Sequence, residues 1–257
     1  MNEIKISAVI ITFNEEKNIA RCVESVLPVA DEVVVLDSFS TDGTKQICER
    51  YGVRFFQNKF DGHVEQKNRA LDLAANDVVL SLDADEALTD DLKESVIAIK
   101  TNFAHDGYTL NRLTNYCGSW IRHCGWYPDS RIRLWHRNKG RWGGVNPHDR
   151  VVLVPGAKTG HLKGDLWHYS FHSLSDHLKQ LDQFTSIAAK EAFKKDKKVY
   201  PMIHIVFYPF VTFLRMYFLR LGFLDGLPGF LVCISGSYYR FMKYAKLHHL
   251  KRDAKDT

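Results

Sequence analysis

The sequence has little in it that would cross-link the chain. Its five cysteines, Cys22, Cys48, Cys117, Cys124 and Cys233, are an odd number with no C-x-x-C spacing. Free thiols in a reducing compartment are the simplest reading. No apolar run reaches the ~20 residues of a membrane-spanning helix. The two longest, VYPMIHIVFYPFVTFL before Arg215 and GLPGFLVCISGSYY before Arg240, stop at sixteen and fourteen residues, and prolines and glycines are expected to break both. No G-x-G-x-x-G follows the first apolar run and no G-x-x-x-x-G-K-S/T occurs, which argues against a dinucleotide site and a P-loop. The N-terminal MNEIKISAVIITFNEE has no signal-peptide cleavage pattern, so an intracellular protein is expected. Internal repeats and low-complexity segments are also missing.

What is present begins with length and charge. The 257 residues can bury a sizeable core, as one domain or one domain with an appendage. The net charge of +5 is uneven: from Lys194 onward 12 Lys+Arg stand against 4 Asp+Glu, a balance of +8, which leaves −3 for the first 193 residues. A basic tail on a slightly acidic body points to an anionic partner surface, membrane or nucleic acid.

The chain is organised around Asp77–Glu86, DVVLSLDADE. Val78, Val79, Leu80 and Leu82 form an apolar run of buried-strand length. It stops at Asp83-Ala84-Asp85, where two carboxylates two residues apart project to the same side. Such a pair at a strand end suits Mg²⁺ or Mn²⁺, and through the metal a phosphate. The plainer alternative is a solvated acidic turn opening the helix near Leu92.

Strand and helix alternate before this stretch. Lys5–Phe13, Glu32–Leu36 and Val53–Phe56 read as strands. Helices are expected from Ile19 to Pro28, up to about Tyr51 with Ser40 or Thr41 as N-cap, and over His63–Ala75. That alternation predicts an α/β fold with a mainly parallel sheet. Acids then fall at three strand ends, Glu15, Asp37, and Asp83 with Asp85, lining the edge where open α/β sheets bind ligands. For Asp37 alone an Asx-turn is the competing reading.

The order VIITFNEE, VVVLDSFSTDGT and EQKNRALDLAANDVVLSLDADE resembles family 2 glycosyltransferases with the GT-A fold, a Rossmann-like sheet. The resemblance implies that residues 1–105 bind a nucleotide sugar. Thr12, Phe13, Glu15 and Asp37 would hold base and ribose, and Lys67 or Arg69 the phosphates. Asp83 and Asp85 would hold ribose and metal.

Residues 106–193 differ in character. Trp120, Trp126, Tyr127, Trp135 and Trp142 crowd an arginine-rich segment. It reads either as an acceptor platform, with rings stacking on sugars and arginines clamping anions, or as a second mini-core. GWYPD, RL and His148-Asp149 are similar to the acceptor half of bacterial lipopolysaccharide-core β-glucosyltransferases, whose second motif is His-Glu. Inverting transfer needs one base on the acceptor hydroxyl. Asp149 is the candidate, with an ion pair to Arg150 or Arg133 as its structural alternative. His168 and His172 have i, i+4 spacing, but the segment reads as strand, against a helical zinc pair. The resemblance suggests His168 as an extra metal or diphosphate ligand.

Leu174 to about Phe193 reads as an amphipathic helix. In residues 194–257, Arg215, Arg220, Arg240, Lys243 and Lys246 flank aromatics, the composition of helices lying in a membrane interface. Packing on the body or dimerisation is the alternative. GFLDG extends the resemblance over nearly the whole chain. The expected enzyme is an inverting transferase that uses Mg²⁺ or Mn²⁺. It moves a hexose from a UDP-sugar, UDP-glucose first, to a lipid-linked acceptor such as the lipopolysaccharide inner core, or from another nucleotide sugar to a capsule or exopolysaccharide intermediate. It is peripheral on the cytoplasmic face of the inner membrane. A nucleotidyltransferase would carry a Gly-rich basic loop where TFNEEKN stands. A binding scaffold could dispense with Asp85 or Asp149. A nucleic-acid binder would not need so apolar a tail.

Overall fold

The computed structural model describes residues 3–254 apart from 146–147, with only the backbone at 145 and 148. It divides into two compact units, Met1–Leu113 with Asp129–Tyr169, and Thr114–Pro128 with Ser170–Thr257.

The first unit is built on a mixed sheet. Four parallel strands, β1 (Ile6–Thr12), β2 (Glu32–Asp37), β3 (Arg54–Gln57) and β4 (Val78–Asp83), lie in the order β3-β2-β1-β4. The sheet then continues through β8 (Asp129–His136), β6 (Gly107–Tyr116), β11 (Thr159–Phe171) and β5 (Glu86–Leu88). Pairing turns antiparallel at β4–β8 and stays so in β6–β8 and β5–β11. β9 (Gly140–Val145) and β10 (His148–Leu153) form a separate two-stranded ribbon.

The parallel strands read as unbroken apolar runs because both their faces are covered. On β1, Ile6, Ala8 and Ile10 pack with Ile19, Cys22, Val23 and Val26 of α1 (Ile19–Val26) and with Leu92 and Val96 of α4 (Asp90–Lys100). Val9, between them, faces Ala70 and Leu71 of α3 (His63–Asp72) on the other side. Each fully buried aliphatic side chain contributes about 1.5–3 kcal/mol, so β1 is the strand this unit can least afford to lose.

Two helix ends differ from expectation. α2 (Thr44–Arg50) is not capped by Ser40 or Thr41, because the chain first makes another turn. Asp42 Oδ1 accepts from the Thr44 N–H at 3.0 Å instead, and Ser40 bonds back to Asp37. α3 stops at Asp72 rather than Ala75, since the Ala75 N–H leaves the helix to donate to Glu32 Oε2 at 2.8 Å.

In the second unit, α5 (Leu174–Lys194) has the expected span. The apolar tail is more continuous than its prolines and glycines predict. A helix covers Met202–Leu219, with wide π-type turns over Met202–Phe207 and Arg215–Leu219. Pro209 lies inside this helix, at the change from the wide turns of Met202–Phe207 to the α-helical stretch Tyr208–Leu214. After a short turn, Gly226–Asp253 is one unbroken 28-residue helix. Its glycines are points of close approach. A Cβ on Gly229 would lie 2.1 Å from the Gly222 carbonyl oxygen, and one on Gly236 would lie 2.6 Å from Met216 Sδ.

Alanine in place of a mid-helix glycine ordinarily stabilises by about 1 kcal/mol. Gly229→Ala should reverse that sign and lose about 1–3 kcal/mol, because its obstacle is backbone. The midpoint of thermal unfolding measures it, and a rise would contradict the packing described.

Candidate active site

The parallel register brings the acidic strand ends together. Thr12 is level with Asp37, and Ile11 with Asp83, so the carboxyl ends of β1, β2 and β4 finish together. The loops that follow are stitched to one another. Asn14 donates its N–H to Ser40 Oγ (2.7 Å) and accepts the Thr41 N–H on Oδ1 (2.8 Å). The Glu15 N–H donates to Thr44 Oγ1 at 2.9 Å. Asn14 and Phe39 both sit at positive φ, 54° and 62°, and the rings of Phe13 and Phe39 stand 56% and 54% exposed. Thr12 is buried. Asp37 is fully buried, its Oδ2 accepting from the Ser40 N–H at 2.9 Å and from Gln57 Nε2 at 3.0 Å. The Ser40 bond is local, as the turn alternative expects, while Gln57 reaches Asp37 from β3.

The other carboxylates join one buried run of alternating charge. Lys67 Nζ lies 3.0 Å from Asp83 Oδ1 and 2.7 Å from Asp149 Oδ2. Arg133 Nη2 reaches Asp83 Oδ2 at 3.2 Å and Glu86 Oε1 at 2.6 Å. Glu86 Oε2 in turn accepts the Asp83 N–H at 2.9 Å, which pins the turn between β4 and β5. Lys67, Arg133 and Glu86 are all buried. Trp142 lies beneath both cations, its ring centre 4.3 Å from Lys67 Nζ and 5.3 Å from the Arg133 guanidinium carbon. The acidic turn is therefore not a solvated one. Burial pushes the Asp83 carboxyl up, but Lys67 and then Arg133 override it and hold the group well below its ordinary range.

Asp85 faces a different partner, His168 Nε2 at 3.1 Å. Burial opposes ionisation of both. Their mutual attraction outweighs it, lowering the Asp85 pKa and raising that of His168. Glu15 has no cation beside it. Burial and, to a lesser degree, Asp85, Asp42 and Asp83 raise it to about 7, against a hydrogen bond from Asn18.

The donor kinds here, two carboxylates and an imidazole, fit a hard divalent cation. Asp85 and His168 are already in contact, and His168 Nδ1 is buried without a hydrogen-bond partner. Among the described residues no group of three or more His, Cys, Asp or Glu is arranged to hold an ion. Asp83 is turned to Lys67 and Arg133 instead.

Several expected residues are placed elsewhere. Arg69 is half-exposed and pairs with Asp61 at 2.7 Å, not with the acidic turn. Two positions along α3 rotate it about 200° from Lys67, so one helix cannot aim both at the same cluster. Trp135 and Trp142 belong to the core beside β1, and Trp126 packs on Tyr116 and Phe171 within the second unit. Trp135 and Trp142 thus join the main core, and only Trp126 sits in a separate small one, as the mini-core alternative expects. Asp149 makes its ion pair with Lys67 at 2.7 Å, and its charge also acts on Arg133. His168 is in β11 and His172 follows the strand, so no helical histidine pair forms. The histidine of the His148-Asp149 pair lies outside the described side chains.

Three residues matter here that nothing in the string singles out. Phe39 lies in the connection after β2. Asn68 exchanges two bonds with the Trp142 backbone, at 2.9 and 3.1 Å. Glu86 begins β5 directly after the turn and shares Arg133 with Asp83, a pairing between distant parts of the chain that no spacing in the string marks.

Removing Glu86 leaves the Arg133 charge buried with a single partner. Glu86→Ala should cost about 3–5 kcal/mol in urea unfolding. A loss under about 1 kcal/mol would mean the pair is not buried as described. Glu15 gives a pH test. Its folded pKa of about 7 lies above the ordinary 4.5, so its stabilising contribution is full below pH 4.5 and lost as pH rises through 7. Glu15→Gln should match the parent near pH 4.5 and be the more stable protein at pH 8, read from the urea midpoint.

The glycosyl transferase family 2 model matches residues 7–152, more than half of the chain. A glycosyltransferase of Rickettsia typhi described as uncharacterized is 31% identical, over 98% of this chain and 90% of its own length. The lipopolysaccharide core biosynthesis glycosyltransferase LpsC of Rhizobium meliloti is 28% identical over 96% of this chain and 93% of its own. Among solved structures, S. aureus TarS overlays with a TM-score of 0.49 at 17% identity, covering 93% of this chain and 55% of that one. With the family model covering more than half of the chain and a relative over 30% identical across nearly its whole length, the chain, with its mixed α/β sheet, belongs to glycosyl transferase family 2 and is a glycosyltransferase.

Proposed function

We propose that this glycosyltransferase moves a hexose, glucose first among them, from a UDP-sugar to a lipid-linked glycan acceptor of the lipopolysaccharide inner-core kind, with inversion. The transfer takes place at the cytoplasmic face of the inner membrane. The observation that carries the reading is the meeting of the donor edge with Asp149: one cation, Lys67, contacts both Asp83 of the acidic turn and the candidate base. The acceptor class is supported by the likeness to LpsC over nearly the full chain.

Donor and acceptor have separate residues in this reading. Phe13 and Phe39 offer exposed rings to the base, and Thr12, Glu15 and Asp37 stand at the strand ends for base and ribose. Asp83, Asp85 and His168 would hold Mg²⁺ or Mn²⁺, which supplies Lewis-acid stabilisation to the departing diphosphate. Lys67 adds a fixed positive charge beside the acidic turn, where negative charge develops on the leaving group. Asp149 accepts the proton of the acceptor hydroxyl as its oxygen bonds to C1. The bond from C1 to the phosphate oxygen breaks on the opposite face, and UDP leaves with the electron pair. Two bonds exchange in one step, so a covalent enzyme intermediate is not needed.

Calorimetric titration with UDP, in Mn²⁺ and then in EDTA, tests the donor half. Binding that depends on the metal and is lost in Asp85→Ala is expected. Binding of GDP or dTDP in place of UDP would change the donor, and absence of all nucleotide binding would overturn the reading. Asp149→Asn should keep UDP binding and lower turnover by ~10²-fold or more. Unchanged turnover would move the base to another residue.

A further inference from the structure

The second unit leaves one large apolar surface uncovered. Along the Met202–Leu219 helix only 6% of the residues are buried. Met202 is 65% exposed, Phe207 57%, Phe210 61% and Leu219 81%, and Leu227 beyond the turn is 70% exposed. The opposite side of this helix is committed to protein. His204 is buried and stacks on Tyr244 of the Gly226–Asp253 helix, with ring centres 4.7 Å apart, and Phe213 meets Phe230 at 5.8 Å. The helix is thus two-sided, with one face packed and one face bare.

We infer that the bare face of this helical pair lies flat in the headgroup–acyl boundary of an anionic bilayer, as an in-plane anchor that does not span. This extends the membrane-acceptor reading above but rests on the second unit's own surface. Three observations select the occupant. First, Arg215 and Arg240 are exposed and have no acidic partner among the described residues, in a tail with a balance of +8. Cations beside an apolar face suit anionic headgroups. Second, those same arginines oppose a second copy. A two-fold dimer through this face would bring each charge toward its own kind. Third, although the Met202–Leu219 helix is by length and composition long and apolar enough to cross a membrane, against the expectation from the sequence, Arg215 falls inside it and its other side is committed to the Gly226–Asp253 helix. A helix with one packed face and an internal arginine meets the requirements of an interface, not of a span.

The test uses the purified full chain and vesicles of phosphatidylcholine, alone or mixed with phosphatidylglycerol. Cosedimentation should be strong on mixed vesicles, weak on neutral ones, and reversed by alkaline carbonate. Phe207→Asp with Phe210→Asp, both exposed in the folded chain, should lower the bound fraction about tenfold or more. Arg215→Gln and Arg240→Gln should each lower it about fivefold, on anionic vesicles only. Circular dichroism checks folding of each variant. The proposal is overturned if the parent ignores vesicles, if the phenylalanine variant binds like the parent, or if carbonate fails to release the chain, which would make it spanning. A stable dimer by light scattering that hides the face from vesicles overturns it as well. UDP titration of the same samples keeps the two readings apart: vesicle binding without UDP binding would support the anchor and remove the donor assignment.

Discussion

Desolvated charge is the constraint under which the first unit is built. Glu86, Arg133, Asp83, Lys67 and Asp149 alternate in sign through contacts of 2.6 to 3.2 Å, with Trp142 under both cations. None of these groups could be buried alone, since an isolated ion in the interior would neutralise or draw in water. Their mutual satisfaction lets Asp83 and Asp149 stay ionised beside the core without disrupting it. The elements bearing them must then be held in place. β4 is locked into the parallel register, α3 packs Ala70 and Leu71 against Val9, and β8 pairs with β4. Where a cation is missing, as at Glu15, the carboxyl responds by holding its proton.

Much of this half was legible in the sequence, for physical reasons. Strands covered on both faces must be apolar throughout, so Ile6–Thr12, Glu32–Asp37 and Val78–Asp83 announced themselves to within a residue or so. Acids at the ends of such runs need polar partners wherever they sit, and the loops beyond the strand ends supply them, as Ser40 does for the buried Asp37. Long-range partners were not legible. Lys67 and Arg69 look alike in a string, and only the rotation of α3 separates them. Trp135 and Trp142 read as a sugar platform by composition, but they fill the core, because large rings satisfy a buried surface as readily as they satisfy a ligand. Glu86 was read as the last letter of a motif when it is the counter-charge on which the motif's geometry rests.

The second unit failed the reading in a different way. Gly229, Gly236 and Pro209 were expected to interrupt helices, as they do when helices are isolated. Here the glycines permit contact distances that no side chain allows, and the proline stands at a change of helical pitch. Propensity describes a helix in water, whereas these residues answer to a neighbouring helix.

The β9–β10 ribbon is joined to the sheet by no ladder of its own. Asn68 clasps the backbone of Trp142 with two amide bonds, and Asn68 is the residue next to Lys67. Asp149 and its counter-ion are thus hung from one turn of α3. The ribbon is thus a cassette on a shared mount: a change that opens the asparagine clasp would shift Asp149 and Lys67 relative to each other, although neither residue is touched.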